Sequence, residues 1–185
     1  SSSSTSSSSS FAVADPAERE RALFALAHAG SEELARAALD YSVSEKVRSQ
    51  DAGSLAASVA SANGGKHRRV CWDWLLNGGK DSKGEKSKSN GASLLAAKKG
   101  GDAGARAVGK LFASVGGGLA PPLATAGDDS AASLKKLEKE IERAAKSLKI
   151  KQRDLNSALE GVRARWSWRK HNREEACRWL AAEVA

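Results

Sequence analysis

Apolar residues recur three or four positions apart along most of the chain, the spacing that places them on one face of an α-helix. β-Branched residues are sparse and seldom alternate with polar ones, so the pattern does not favour strands. Glycine and proline separate the apolar stretches into short segments. The predicted helices run from Asp15 toward Gly30, from Ser31 through Tyr41, over 49–62, 66–76, 105–115, 130–148 and 151–168, and from Asn172 onward.

Capping residues support several of these helix starts. Asp15 and Pro16 combine an N-cap with a proline at the first helical position, and Ser31 is followed directly by two glutamates. Asn172 has Glu175 three residues later, as in a capping box. The turns between many of the predicted helices are short, which is typical of antiparallel helix pairs. We therefore predict an all-α solenoid, in which each helix pair buries its apolar face on the next.

The composition changes along the chain and divides it into four parts. Residues 1–14 form a Ser-rich segment that cannot bury a core, and 78–104 form a polar Gly/Lys/Ser insert or loop. The first set of helical repeats occupies 15–77, and the C-terminal set occupies 105–185. The sequence has no methionine, which we interpret as the mark of a processed product or of a fragment of a longer reading frame.

The formal net charge of +8 is compatible with nucleic acid or with an acidic partner. Half of the excess comes from 80–99, which hold six lysines against two acids. A charge run of this kind in a loop is usually solvated and has no specific partner. No apolar run approaches the ~20 residues that span a bilayer, so we expect no membrane association.

Cations also lie beside tryptophans, which makes a basic helical binding or scaffold module, associated with nucleic acid or a ribosome, the alternative function. The two places are 66–69 with Trp72 and Trp74, and 163–173 with Trp166 and Trp168. Helical spacing favours a different interpretation, in which the tryptophans face the core and the arginines face solvent. We therefore do not expect nucleic acid as a partner.

Motifs for catalysis and metal binding are missing from the sequence. His28, His67 and His171 do not stand in H-E-x-x-H, and we predict each of them at a helix end or on the surface. No glycine stretch has the pattern of a phosphate-binding loop, and no G-x-S-x-G occurs. The sequence predicts no catalytic residue and no metal ligand in this chain, and it leaves open whether the whole protein is an enzyme.

Two segments resemble the C-terminal domain of gluzincin zinc aminopeptidases of the puromycin-sensitive and endoplasmic-reticulum type. Val43–Asp51, V-S-E-K-V-R-S-Q-D, is similar to the family's L-S-x-x-V-R-x-Q-D segment. Gly65–Trp74 resembles its G-x-x-x-x-A-W-x-F helix, with Trp72 at the tryptophan. Two later segments, 110–120 and 158–180, are similar to a following helix and to the family's closing pattern, in the same order along the chain.

The resemblance implies a non-catalytic domain, or a fragment of one. In that family H-E-x-x-H and the zinc lie in an upstream domain, and the C-terminal domain is a HEAT- or armadillo-like superhelix of antiparallel helix pairs. It covers the active site, shapes the peptide cavity and moves between open and closed forms. The implied partners are the catalytic domain of the same aminopeptidase and a peptide substrate. Zinc is then a cofactor of the parent enzyme, with no cofactor in this chain.

Within the resembling segment, Arg48, Gln50 and Asp51 are the candidate substrate-binding residues. The alternative is that they fix the loop between two helices, and this alternative is favoured because capping and turn bonding routinely employ such side chains. Two isolated cysteines, Cys71 and Cys177, suit a reducing compartment. We accordingly expect a cytoplasmic location, with an organelle as the alternative.

Overall fold

The computed structural model describes residues 16–28, 30–77, 89–119 and 131–184, and within these ranges every regular element is a helix. The all-α prediction is therefore confirmed for this part of the chain. The predicted Ser-rich segment 1–14 and residues 78–88 of the predicted insert lie outside it. The helices are α1 (Pro16–Ala27), α2 (Glu32–Ser42), α3 (Ser49–Ser61), α4 (Arg68–Asn77), α5 (Gly91–Lys99), α6 (Gly101–Gly118), α7 (Ala131–Ser147) and α8 (Gln152–Val184), with one turn of 3-10 helix at Asn63–Gly65 before α4.

Helices that follow one another in sequence mostly pack together. From α1 to α6 each helix contacts the next one, and α1, α2 and α3 also contact the next but one. The most extensive contact joins α6 to α8, and α6 additionally contacts α3, α4 and α5. α6 is therefore the central helix of the fold. The arrangement of antiparallel helix pairs in a HEAT- or armadillo-like superhelix stays a prediction.

The core is built from aliphatic side chains around two tryptophans of α4. Trp72 and Trp74 are fully buried, and the ring of Trp72 packs on that of Phe112, with 5.2 Å between centroids. Ile141 of α7 and Val162 of α8 belong to the same buried cluster. The tryptophans therefore face the core, as the helical spacing of α4 predicts.

The predicted insert 78–104 contains a helix. Asn90 caps α5 by accepting a hydrogen bond from the backbone N–H of Ser93 at 2.8 Å, and Leu95 is fully buried. Gly100 has φ of 71°, which lets the chain turn from α5 directly into α6. The prediction misses this helix because it treats 78–104 as one polar stretch, although α5 itself holds two leucines and three alanines among its nine residues.

The predicted helix 105–115 ends too early, because Gly116–Gly118 also belong to the last turn of α6 and are buried. A Cβ at Gly116 would lie 3.2 Å from the Trp72 ring, and one at Gly118 would lie 2.6 Å from the Arg68 side chain. Here glycine serves close packing rather than chain flexibility. The gain in burial outweighs the low helix propensity of glycine, which costs about 1 kcal/mol per residue relative to alanine.

A last helix starting at Asn172 is not observed, since α8 is one continuous helix of 33 residues. The side-chain amide of Asn172 donates to the backbone carbonyl of Trp168 at 2.8 Å instead of capping a new helix. No proline and no glycine follows Gly161 to interrupt α8. Beyond Val162, none of the α8 side chains that the structure describes is buried, so this end of α8 projects from the core.

Among the described helices, none combines the length and the apolar character needed to cross a membrane.

Candidate functional site

The candidate site is the loop that joins α2 to α3 and carries the segment resembling V-R-x-Q-D. Its turns are closed by short-range bonds: the Ser44 hydroxyl donates to the carbonyl of Tyr41 at 2.7 Å, and the Val47 N–H donates to the carbonyl of Ser44 at 3.3 Å. Val47 is buried, which anchors the loop to the core. Arg48 then stands at the N-cap of α3 with extended backbone angles and makes no side-chain capping bond.

Two lysines from the end of α5 hold this loop from the other side. Lys98 Nζ donates to the carbonyl of Ser44 at 2.8 Å, and Lys99 Nζ donates to the carbonyl of Gln50 at 3.2 Å. Both carbonyls are thus satisfied by charged donors, which make stronger bonds than neutral ones. These lysines belong to a charge run that the sequence predicts to be solvated, and their partners lie about fifty positions away in sequence, so no local pattern indicates these bonds.

The three candidate side chains differ in their surroundings. Arg48 and Gln50 are exposed, while Asp51 is half-buried in the first turn of α3. A carboxylate at that position interacts favourably with the positive end of the helix. Stabilising the start of α3 is therefore a sufficient role for Asp51. Arg48 and Gln50, in contrast, are accessible to a partner.

Beside this loop, α4 is tied to α2 by a partly buried hydrogen bond. Trp74 Nε1 donates to Asp40 Oδ1 at 2.8 Å. Burial raises the pKa of Asp40 above its usual value, and the bond from Trp74 and the charge of Arg36 partly oppose that rise. The bond satisfies the indole N–H, which would otherwise be buried without a partner at a cost of about 1–3 kcal/mol.

A second indole ties α4 to α7. Trp72 Nε1 donates to Glu140 Oε1 at 3.0 Å, and Arg69 Nη1 reaches the same carboxylate oxygen at 3.0 Å. Arg69 also pairs with Asp73 one turn further along α4, at 3.4 Å. The cations at 66–69 are thus partly engaged by acids of the same chain.

The second tryptophan cluster departs from the prediction. Trp168 is 64% exposed on the projecting end of α8, so it does not face the core. Trp166 is half-buried, and Lys170 Nζ lies 5.2 Å from its ring centroid, within the range of a cation–π contact. The prediction fails because α8 extends past α6 and α7, so nothing covers its last turns among the described residues.

The structure agrees with the prediction that each of the three histidines lies at a helix end or on the surface. His28 and His171 are exposed, whereas His67 is fully buried at a helix end, immediately before α4. Cys71 is also buried, which raises the pKa of its thiol to about 12. Over the described ranges, no three side chains of His, Cys, Asp or Glu come together in a way that could hold a metal ion.

Comparison of the chain with models of known families, with curated proteins and with solved structures finds no match.

Proposed function

We propose that the chain is the non-catalytic, helical C-terminal part of a zinc aminopeptidase that removes N-terminal residues from peptides. The segment Val43–Asp51 carries this proposal, together with the tryptophan helix that follows it at Gly65–Trp74. In the structure α2, α3 and α4 contact one another pairwise, so the two resembling segments belong to one packed unit.

The cross-connections of the fold suit a domain that moves as a body. The indoles of Trp72 and Trp74 fasten α4 to α7 and to α2. Lys98 fastens α5 to the loop before α3, and Lys99 fastens it to the first turn of α3. Elements fastened in this way shift together rather than separately. A rigid cover of this kind opens to admit a peptide and closes to hold it and to exclude bulk water.

The chemistry of hydrolysis would belong to the zinc of the parent enzyme, which activates a water molecule and polarises the scissile carbonyl. This chain would contribute a wall of the peptide cavity. The exposed side chains of Arg48 and Gln50 are the candidates in this wall for contact with a peptide.

The proposal is tested by capturing the native polypeptide and measuring its aminopeptidase activity. Glu45, Lys46 and Arg48 are exposed, so an antibody raised against 43–51 can reach the folded protein. We expect the captured material to release fluorescent leaving groups from aminoacyl-coumarin substrates at neutral pH. A zinc chelator should abolish the activity, and added zinc should restore it.

Capture in the presence of excess 43–51 peptide provides the control. The peptide occupies the antibody, so both the polypeptide and the activity should be missing from the captured material. Captured polypeptide without any aminopeptidase activity would contradict the proposal. So would an activity that survives the chelator, because a metal-independent enzyme does not fit the resemblance.

The alternative of a nucleic-acid-binding module has less support. Trp72 and Trp74 are fully buried and cannot stack on bases, and Arg69 pairs with Asp73 and Glu140. The exposed Trp168 is the aromatic side chain that remains available beside the basic stretch 163–173.

A further inference from the structure

A cleft of about 600 Å³ lies between α3 and α6. Its floor is made of small or apolar residues: Gly53 and Ala57 of α3, and Ala107 and Leu111 of α6. Leu111 is buried and the other three are half-buried, so the floor is partly open to solvent. The small side chains leave room for another polypeptide to approach both helices closely.

Three cations border this cleft. Arg106 and Lys110 are exposed and stand four residues apart on α6, which places them on the same face of that helix. Lys99, at the end of α5, also lines the cleft while it donates to the carbonyl of Gln50. None of the lining residues is acidic, and Asp102, one turn before Arg106, is not among them. The cleft therefore concentrates positive charge, which attracts anions.

The size of the cleft fits a short extended peptide. The lining residues of α6 run from Ala103 to Ser114, about 16 Å along the helix axis at ~1.5 Å per residue. An extended chain covers that length with about five residues at ~3.3 Å each. The lining holds no aromatic side chain, whereas single-stranded nucleic acid is usually bound by base stacking on aromatics. A peptide is thus favoured over nucleic acid.

We propose that the cleft between α3 and α6 binds an acidic segment of another polypeptide. Asp and Glu side chains of that segment pair with Arg106, Lys110 and Lys99, and its backbone and small side chains lie over Ala57 and Ala107. Arg106 provides the planar donor group that pairs with a carboxylate through two hydrogen bonds. This inference does not depend on the proposed aminopeptidase function.

Binding of labelled peptides to the full chain tests the proposal by fluorescence anisotropy. The probe is a short fluorescein-labelled peptide of alternating Glu and Ala, and the comparison peptides replace Glu by Gln or by Lys. We expect saturable binding of the Glu peptide and no binding of the Gln or Lys peptides. The affinity for the Glu peptide should fall as salt is added, because the contacts are charged. The double variant R106E/K110E should weaken this binding by about tenfold or more.

A matched control separates the cleft from the overall charge. K135E/K136E changes the net charge by the same amount at exposed positions of α7 that are outside the cleft. It should leave the affinity for the Glu peptide within about twofold of the unmodified chain. Circular dichroism of both variants shows whether each retains its helices, and all four replaced side chains are exposed.

Three outcomes would overturn the proposal. The first is that the Glu peptide fails to bind. The second is that both double variants lose affinity for it equally, which would mean that binding follows the overall charge and not the cleft. The third is that a labelled oligouridylate binds more tightly than the Glu peptide and loses its affinity in R106E/K110E, which would make the cleft a nucleic-acid site.

Discussion

Replacing Gly104 with alanine is expected to destabilise the chain by about 2 kcal/mol, even though alanine has the higher helix propensity. Gly104 lies where α6 crosses α5, and a Cβ there would overlap the carbonyl oxygen of Ala96 and lie 2.9 Å from its Cα. Both are backbone atoms, so the clash cannot be relieved by rotating a side chain. The two helices must separate, which loosens the packing around Leu95.

Gly53 provides the matched control, because it also lies inside a helix but has room for a methyl group. A Cβ at Gly53 would lie 3.5 Å from Lys99 Cε and 3.8 Å from Ala107 Cβ, which are ordinary contacts. Gly53→Ala should therefore stabilise the chain by up to about 1 kcal/mol. Urea unfolding followed by circular dichroism measures both changes, and shifts of the same sign would contradict this account of the α5–α6 crossing.

The second large effect is expected at the centre of the core, where Trp72→Ala should cost about 4 kcal/mol of unfolding free energy. The substitution removes the contact with Phe112, uncovers Gly116 and leaves Glu140 without its indole donor. Small domains have a total stability of about 5–15 kcal/mol, so this one change removes a large part of it.

Trp168→Ala is the same chemical change on the exposed end of α8, and it should alter stability by less than about 0.5 kcal/mol. If Trp72→Ala does not fold, the unfolding free energy of Trp72→Phe is measured in its place, because phenylalanine keeps most of the buried volume. Its expected loss of about 2 kcal/mol comes mainly from the lost hydrogen bond. Equal effects of alanine at positions 72 and 168 would show that the core is not where the structure has it.

The boundaries of several helices could be predicted because local signals set them. Ser31 accepts a hydrogen bond from the backbone N–H of Leu34 at 3.3 Å, as its position before two glutamates indicates. α3 and α7 begin and end within one residue of their predicted bounds, 49–62 and 130–148. In each case apolar periodicity and the flanking polar or glycine residues agree, so one local pattern suffices.

Other features could not be predicted because tertiary contacts decide them. α6 extends over Gly116 and Gly118, where the side chains of Trp72 and Arg68 occupy the space that a Cβ would need, so these positions require glycine inside the helix. Leu34 has the spacing of an apolar face, yet it is 59% exposed, since none of the described helices covers that side of α2. The sequence alone indicates neither the packing at the two glycines nor the exposure of Leu34.

The candidate site shows the same division. The loop 43–51 was found from its own residues, through the resemblance to an aminopeptidase segment. Lys98 and Lys99, which hold it, could not be found, because nothing near them in sequence indicates that they bond to Ser44 and Gln50. The cleft between α3 and α6 was not anticipated either, since its two walls come from separate parts of the chain.

The length of the native polypeptide tests the central claim most directly. Material captured with the antibody against 43–51 is sized on a denaturing gel, digested and mapped by mass spectrometry. We expect a polypeptide far longer than these 185 residues, with an H-E-x-x-H peptide upstream of the segment described here. A native polypeptide of this length alone, with no zinc-binding motif and no catalytic partner captured beside it, would contradict the proposal that the chain is part of an aminopeptidase.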